Sequence, residues 1–596
     1  MPLTPSAWVG WTCLSAAPAI IAALAVHWAS TVHELTLDDK FAVVRNPTLR
    51  QPTLSAFARM VLSCDYWGTK LDHPTSHQSF RPVTTLSFWL DLSGRTPKAS
   101  TWQLHATSVV LHAACAALVT ALALQLLAQQ QKNSRLTGLL ASFAGVFFAV
   151  HPATVEAVAN ISGRAEILAA LFGVCAHLMV LNDYVITAFC FSLLALFSKE
   201  VGFTSVVLVL YHFNISSSNH HFKAKRIKKV LRPWRAAASG VAFALVVSLR
   251  LKFLHHMLVP SDMDNPLWAE GRTTSARWLS TLYVNARALA FLLLFPLASC
   301  PDFSGPACPA IESINGDIRN VYTLAAICAI ALLLYACRRS CYRDARVSCE
   351  VIMPALLWMA LPAALASNVF LRVGFCFAER TYYSSVIGLA LLLCAFISKQ
   401  FDEVREVRDG WEGASRSSEK NQSRSKRRGK KEHRGLFLRY IAIFLGGVGV
   451  CCTARRTWNR SSQWQSNEHL WSSAMQECEP TSRIVNNYGK VLQRSGKPRE
   501  AQVQFERAMA LDPNSALPYF NLGMLAAADR RHRKALLFYR EATKRNPYLV
   551  GAFNNAGASH LALGEKIKAA KFFKQALDLN PGDSSIRANL RIALRI

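Results

Sequence analysis

Long apolar runs alternate with shorter polar segments over the first three quarters of this 596-residue chain. Most of the runs approach the length at which an α-helix spans a bilayer. The pattern predicts an all-α, polytopic membrane domain over residues 1–453. The first run is interpreted as a retained signal anchor, with a cleaved signal peptide as the alternative. The apolar runs cover residues 8–30, 105–128, 137–155, 165–182, 184–197, 201–213, 236–254, 278–299, 320–337, 351–369, 383–398 and 436–453.

The charges between the runs indicate which loops face the cytoplasm. Segments 223–235, 338–346 and 416–434 are strongly basic, and Lys and Arg collect in cytoplasmic loops of membrane proteins. If every run crossed the membrane, segment 338–346 would lie on the lumenal side, opposite to segment 223–235. The conflict disappears if one run between the first two basic segments does not cross.

Run 278–299 is the weakest of the candidates, because it begins with a mixed stretch and ends at Pro296. We therefore predict about eleven crossings, with this run re-entrant or lying along the lumenal surface. Residues 31–104 then form a first lumenal loop, and residues 401–435 form a basic, disordered cytoplasmic loop. Everything after residue 453 is predicted to be lumenal.

The C-terminal part consists of three 34-residue repeats, 482–515, 516–549 and 550–583. Small residues and an aromatic residue recur in register, which predicts tetratricopeptide repeats, each a pair of helices that cross closely. We expect residues 454–481 to form a helical adaptor and residues 584–596 to cap the last repeat. The recurring residues are Gly489, Gly523 and Gly557; Ala501, Ala535 and Ala569; Phe505, Tyr539 and Phe573; Ala508, Ala542 and Ala576; and Pro513, Pro547 and Pro581.

Composition agrees with a membrane protein and excludes a wholly disordered or fibrous chain. The chain is 52% hydrophobic and 17% charged, whereas soluble proteins average about a quarter charged residues. The net charge of +30 could also indicate nucleic-acid binding, but the basic residues are divided among several loops and the repeats. No nucleic-acid partner is therefore predicted. The 16 cysteines form no CxxC pair, so zinc or thioredoxin-type chemistry has little support.

Asp38 and Asp39 stand at the start of the predicted first lumenal loop. Adjacent carboxylates at the mouth of a membrane domain could act as a base and a positioning group for a hydroxyl acceptor. The alternative is a helix N-cap in a solvated loop, because Asp caps helices well.

Further charged residues cluster at the predicted lumenal ends of the apolar runs, where ionisable groups are a functional hypothesis by default. Arg81 of the first loop could pair with a phosphate. The alternative is a set of ion pairs that only hold the helices together. The clustered residues are His151, Glu156, Arg164, Glu166, Lys199, Glu200, Glu379 and Arg380.

No metal site is predicted. His73 and His77 are four residues apart, but Pro74 makes a helix between them unfavourable. His105 and His112 lie on one face of a predicted membrane helix, where a packing role is favoured over metal binding.

The order of motifs resembles that of the transmembrane and tetratricopeptide repeat-containing (TMTC) proteins over nearly the whole chain. The motifs are LDDKFAVVRNP, DYWGT, HQSFRPVTTLSF, WQLHATSVVLH, FAVHPATVEAVANISGRAEIL, FSKEVGFT, AERTYY and TARRTWNRSSQWQSNEHLW, followed by the repeats. The family usually carries a longer repeat array, whereas this chain shows three repeats and a cap.

The resemblance implies a GT-C membrane glycosyltransferase of the endoplasmic reticulum. It implies that dolichyl phosphate mannose donates mannose to Ser or Thr hydroxyls of secretory-pathway proteins, cadherin-type domains among them, and that the repeats bind protein partners. Asp38 and Asp39 would be the diacidic motif, Arg164, Lys199 and Arg380 the candidates for the donor phosphate, and the remaining clustered residues supports. A divalent metal requirement is left open. A lumenal scaffold on a membrane anchor and a membrane transporter are the alternative functions.

Overall fold

A computed structural model of the chain describes residues 5–73, 76–92, 100–128, 134–215, 240–241, 243–248, 265–268, 272–294, 300–301, 311–313, 316–343, 347–370, 373–415, 446–580 and 582–594. These residues fold as helices and turns, so the all-α prediction is confirmed. Among them, β pairing is limited to one isolated bridge between Cys64 and Lys70.

The membrane domain comprises α1 to α13. Among the residues that the structure describes, five helices are long and apolar enough to cross a membrane, or six if the bent pair α5–α6 counts as one span. The predicted eleven crossings therefore stay a prediction. The helices are α1 (Pro5–His27), α2 (Leu54–Ser63), α3 (Pro82–Leu92), α4 (Thr101–Ala128), α5 (Ser134–Ala149), α6 (Val155–Ala159), α7 (Arg164–Leu181), α8 (Val185–Ser198), α9 (Phe203–Ile215), α10 (Thr274–Leu294), α11 (Arg319–Arg343), α12 (Val347–Ala366) and α13 (Tyr383–Ser415).

Helix α10, which contains most of the weak run 278–299, is not among the candidate spans. Before it, Asn265 donates from Nδ2 to Asn368 Oδ1 at 2.7 Å. After it, the backbone N–H of Cys300 donates to Glu379 Oε1 at 2.7 Å. Asn368 and Glu379 both belong to the connection between α12 and α13, so the chain contacts the same connection on either side of α10. This arrangement fits a segment that does not cross.

The apolar core of the membrane domain is built by α1, α4, α5, α7, α12 and α13. Small residues allow these helices to approach closely, which is how membrane helices gain packing contacts. A side chain at Gly388 of α13 would lie 2.3 Å from the Ala355 carbonyl oxygen and from the Met359 nitrogen of α12. Only glycine fits there.

Each predicted repeat contains one pair of helices. At the crossings, a Cβ atom on Gly489, Gly523 or Gly557 would lie 2.5–2.8 Å from the aromatic ring of the paired helix. The glycine and the ring therefore fit only as a pair, as the repeat pattern indicated. The helices are α16 (Ser482–Arg494), α17 (Pro498–Leu511), α18 (Ala516–Ala528), α19 (His532–Arg545), α20 (Val550–Ala562), α21 (Lys566–Leu579) and, in the predicted capping segment, α22 (Ser584–Leu594).

The adaptor joins the repeats to the membrane domain through a shared apolar core. It contains the C-terminal part of α14 (446–463), whose residues 446–453 belong to the last predicted apolar run, and α15 (Asn467–Glu477). Trp464 and Trp471 pack with Val155 and Ala159 of the membrane domain and with Ile484 of the first repeat. A disulfide between Cys300 and Cys478 adds a covalent link.

Candidate active site

Asp39 is a fully buried residue that holds two segments of backbone together. The chain leaves α1, makes a short turn and then folds so that Asp39 Oδ2 accepts the backbone N–H of Thr36 at 3.1 Å. Its Oδ1 accepts the backbone N–H of Ser162 at 2.8 Å. Asp39 precedes the short helical segment Lys40–Val44 but makes no side-chain cap to it. The N-cap alternative is therefore wrong for Asp39.

Burial disfavours the charged form of Asp39. Loss of solvent raises the pKa of this carboxyl to about 7, with a further increase from the neighbouring Asp38 and opposing effects from the hydrogen bonds of Ser162 and Thr36. Desolvation and hydrogen bonding to a carboxylate act in opposite directions. At neutral pH, Asp39 is thus divided between its two protonation states.

Asp38 occupies a different environment, because 36% of its side chain is exposed. Its Oδ2 accepts from Arg380 Nη1 at 3.3 Å. The same Nη1 donates to Glu156 Oε1 at 3.0 Å, and the Arg380 backbone N–H donates to Glu156 Oε2 at 3.0 Å. Glu156, 5% exposed, therefore fixes Arg380 in place beside an accessible carboxylate.

Two more cations lie close to this group. Arg81 donates from Nη2 to Glu200 Oε2 at 2.9 Å and stacks over the ring of Tyr66. Lys199 forms an ion pair with the buried Glu166. Lys199 interacts electrostatically with both Arg81 and Arg380, so three cations from distant parts of the sequence converge.

Arg164 is not part of this partly exposed group of cations. It is fully buried, and its Nη1 pairs with Asp91 at 2.6 Å. Its Nε donates to Ser108 and its Nη2 to the Leu104 carbonyl. Because every guanidinium nitrogen has a protein partner, Arg164 holds α3, α4 and α7 together rather than presenting a free donor.

His151 and Glu379 also serve as buried connections. His151 accepts the backbone N–H of Ala153 at its Nδ1, and its Nε2 lies 3.2 Å from the Leu292 carbonyl oxygen of α10. Glu379 accepts from the backbone of Cys300 and from Arg460 of the adaptor. For these two residues and Arg164, the structure matches the alternative of ion pairs and hydrogen bonds that hold the framework.

The roles of several residues in and around the site could not be predicted from the sequence alone. Tyr66 donates from its hydroxyl to the Ser162 carbonyl at 3.0 Å, so it steadies the same turn as Asp39. Ser162 acts through its backbone, which no side-chain pattern could show. Asp91 and Arg460 are single charges whose partners lie far along the chain.

The surroundings of the predicted histidine pairs can be compared with their expected roles. Within the ranges that the structure describes, no group of three or more His, Cys, Asp or Glu side chains could hold a metal ion. His112 Nδ1 lies 2.8 Å from the Tyr383 hydroxyl and its Nε2 lies 3.1 Å from the Ala149 carbonyl. The predicted packing role fits these contacts.

Two family models match the chain. Residues 259–331 match the model described as "Protein O-mannosyl-transferase TMTC, DUF1736", a segment that includes α10. Residues 550–583 match the tetratricopeptide repeat model, with the bounds of the third predicted repeat.

Curated relatives extend the similarity to most of the chain. Human "Protein O-mannosyl-transferase TMTC3" is 25% identical over 95% of this chain and 64% of its own length. Human "Protein O-mannosyl-transferase TMTC1" is 27% identical over 83% of this chain and 54% of its own length. The chain is similar to the TMTC proteins. A third TMTC relative, "Protein O-mannosyl-transferase F38B6.6" of Caenorhabditis elegans, is 25% identical over 81% of this chain and 60% of its own length. The chain thus spans somewhat more than half the length of these TMTC relatives.

Proposed function

We propose that this chain is a membrane mannosyltransferase that transfers mannose from dolichyl phosphate mannose to Ser or Thr hydroxyls of proteins. The relatives' names support O-mannosyl transfer. The observation that carries the proposal is the contact between the exposed carboxylate of Asp38 and the guanidinium of Arg380. This contact places a carboxylate that can accept a proton next to a guanidinium that can bind a phosphate.

In the proposed reaction, Asp38 accepts the proton of the acceptor hydroxyl as general base. The hydroxyl oxygen attacks the anomeric carbon of mannose, the new C–O bond forms with inversion, and the bond to the phosphate oxygen breaks. The electron pair of that bond leaves with dolichyl phosphate. Arg380, Lys199 and Arg81 stabilise the negative charge that develops on the phosphate, which is the kind of contribution expected from preorganised cations.

The remaining residues support this geometry. Glu156 orients Arg380, Glu166 pairs with Lys199, and Glu200 orients Arg81. Asp39 fixes the 160–163 turn beside Asp38. Since a buried ion pair is costly to break, the mostly buried Glu156 and Glu166 keep Arg380 and Lys199 in place in the absence of donor.

The proposed location is the endoplasmic reticulum membrane, with Asp38 and the repeats on the lumenal side. The Cys300–Cys478 disulfide supports this orientation, because disulfides persist in oxidising compartments such as this lumen. Cadherin-type domains are the proposed acceptors, and the repeats are proposed to bind protein partners.

The test is mannose transfer by the purified full chain from synthetic dolichyl phosphate mannose to a Ser/Thr acceptor domain. We expect the Asp38→Asn/Asp39→Asn double variant to lose transfer. Asp72→Asn, which removes an exposed carboxylate from the same loop, should retain it. Equal transfer by the double variant and the wild type would refute the catalytic assignment. A wild-type chain that transfers no mannose would favour the scaffold or transporter alternatives.

A further inference from the structure

The first repeat packs directly against the loop that carries the diacidic motif. Leu37 contacts the apolar core that contains Ile484 and Val491 of α16. The backbone N–H of Glu34 donates to the Gln465 carbonyl at 2.9 Å. The inner end of the repeat array and the candidate active site are therefore neighbours in one packed junction.

Cations from the two domains meet at this junction. Lys40, which follows Asp39 directly, interacts with the like charges of Arg494 of α16 and Arg45 and with the opposite charge of Glu34. Lys490, one helical turn before Arg494, interacts with both Lys40 and Arg494. Burial and then these two neighbouring positive charges lower the pKa of Lys490 to about 8.

None of these four cations forms a salt bridge within the described part of the chain. Lys490 donates instead to the neutral Asn487 Oδ1 at 2.9 Å. Lys40 also has the opposite charge of Glu34 nearby, but the neighbouring positive charges repel one another, so an anion bound between them would relieve this repulsion. Phe41 adds an exposed apolar contact beside them, with Arg45 over its ring.

We propose that Lys40, Arg45, Lys490 and Arg494 form a binding surface for an acidic segment of a polypeptide acceptor. This rests on the proposed function and adds a specificity determinant to it. Two of the four cations, Lys490 and Arg494, lie on a helix of the first repeat, which follows the adaptor helices in the chain. This position favours a protein segment over a lipid headgroup as the anion. Because Lys40 adjoins the diacidic motif, a bound acidic segment would hold a nearby Ser or Thr close to Asp38.

The experiment measures binding of a fluorescent Glu-rich peptide with one Ser to the detergent-solubilised full chain. The test variant is Lys490→Gln/Arg494→Gln. The control is Lys571→Gln/Lys574→Gln, which removes the same charge from exposed positions of α21. We expect the test variant to bind about three- to tenfold more weakly, as two partly exposed charge pairs would give. The control should bind like the wild type, and added salt should weaken wild-type binding.

A matching peptide with Gln in place of Glu separates charge from other contacts. Equal wild-type affinity for the two peptides would overturn the proposal, and so would equal binding by the test and control variants. If the test variant instead loses binding to vesicles of anionic lipid and keeps its peptide affinity, the surface binds lipid and the proposal is wrong.

Transfer kinetics distinguish this proposal from the proposed function. The test variant should raise KM for an acidic acceptor and leave kcat unchanged, because neither residue belongs to the catalytic group. Peptide binding without any mannose transfer by the wild type would refute the enzymatic function and leave the binding surface standing.

Discussion

Arg380 Nη1 lies 3.3 Å from Asp38 Oδ2, although the two residues are 342 positions apart in the chain. The contact joins the first loop to the turn that precedes α13. Glu156, from the short helix α6, completes the arrangement by binding the Arg380 guanidinium and its backbone. Three segments therefore depend on one another for the geometry of the candidate site.

The first prediction separates the two aspartates. Asp38→Asn keeps the side-chain shape and removes the exposed base, so kcat should fall about 10²–10⁴-fold with normal thermal stability. Asp39→Asn should lower thermal stability as well, because Asp39 accepts two backbone hydrogen bonds in a buried site. Purified-enzyme kinetics and thermal unfolding measure both. Normal kcat in Asp38→Asn would show that Asp38 is not the base.

The second prediction separates two arginines that the sequence could not rank. Arg380→Gln should raise KM for the lipid-linked donor, because Arg380 is partly exposed beside Asp38. Arg164→Leu should instead destabilise the fold, since it leaves the mostly buried Asp91 without its cation. Losing one partner of a buried pair typically costs about 3–5 kcal/mol. A folded Arg164→Leu variant with weak donor binding would contradict this division.

The third prediction concerns pH. The pKa of Asp39 is about 7 in the folded chain, against 3.8 ordinarily. The folded state therefore holds this proton more tightly than the unfolded state does. Its contribution to the free energy of unfolding should fall as pH rises from about 4 to about 7, then level off. The change is on the order of a few kcal/mol.

This pH effect is measured as the melting temperature of the wild type and of Asp39→Asn at each pH. Because Asn does not titrate, the difference between the two proteins should vary with pH over this window. A constant difference would show that Asp39 has an ordinary pKa in the folded chain. Asp72→Asn, at an exposed position of the same loop, is the matched control.

The fourth prediction concerns the Cys300–Cys478 disulfide. Peptide mapping without reductant, on protein purified from the secretory pathway, should recover the two cysteines in one linked peptide. Cys300→Ser should lower the free energy of unfolding by about 2–4 kcal/mol, the usual contribution of a disulfide. Cys64, a buried free cysteine, serves as the control and should be recovered as a thiol. Two free thiols at 300 and 478 would refute the bridge.

The fifth prediction tests the register of the repeats. Ala535 is fully buried against Tyr539, Ala526 and Ala556, so Ala535→Leu should overpack the crossing at a cost of about 1–3 kcal/mol. Limited proteolysis of the full chain should then cleave the array faster and spare the membrane domain. Ala528→Leu, at an exposed position of the second repeat, is the matched control. Equal cleavage of the two variants would mean that the register is wrong.

The helices and the repeat register follow from local information. A run such as 105–128 is predominantly apolar, and helix formation there needs only short-range backbone hydrogen bonds. The repeats follow from three aligned copies, because Gly489 and Phe505 fit each other within one 34-residue unit. The sequence alone also indicates Asp38 and Asp39 as candidate catalytic residues, because the two carboxylates are adjacent at the mouth of a predicted membrane domain.

Only the tertiary structure decided what each charged residue does. Asp38 and Asp39 are equivalent in the sequence, yet one is exposed beside Arg380 and the other is buried against Ser162. Arg164 and Arg380 are equal candidates for the phosphate in the sequence, and only their partners in the structure distinguish them. Burial and pairing depend on segments hundreds of residues away, as with Cys300 and Cys478. A side chain's solvent exposure and counter-charge determine its chemistry, and neither is a local property of the sequence.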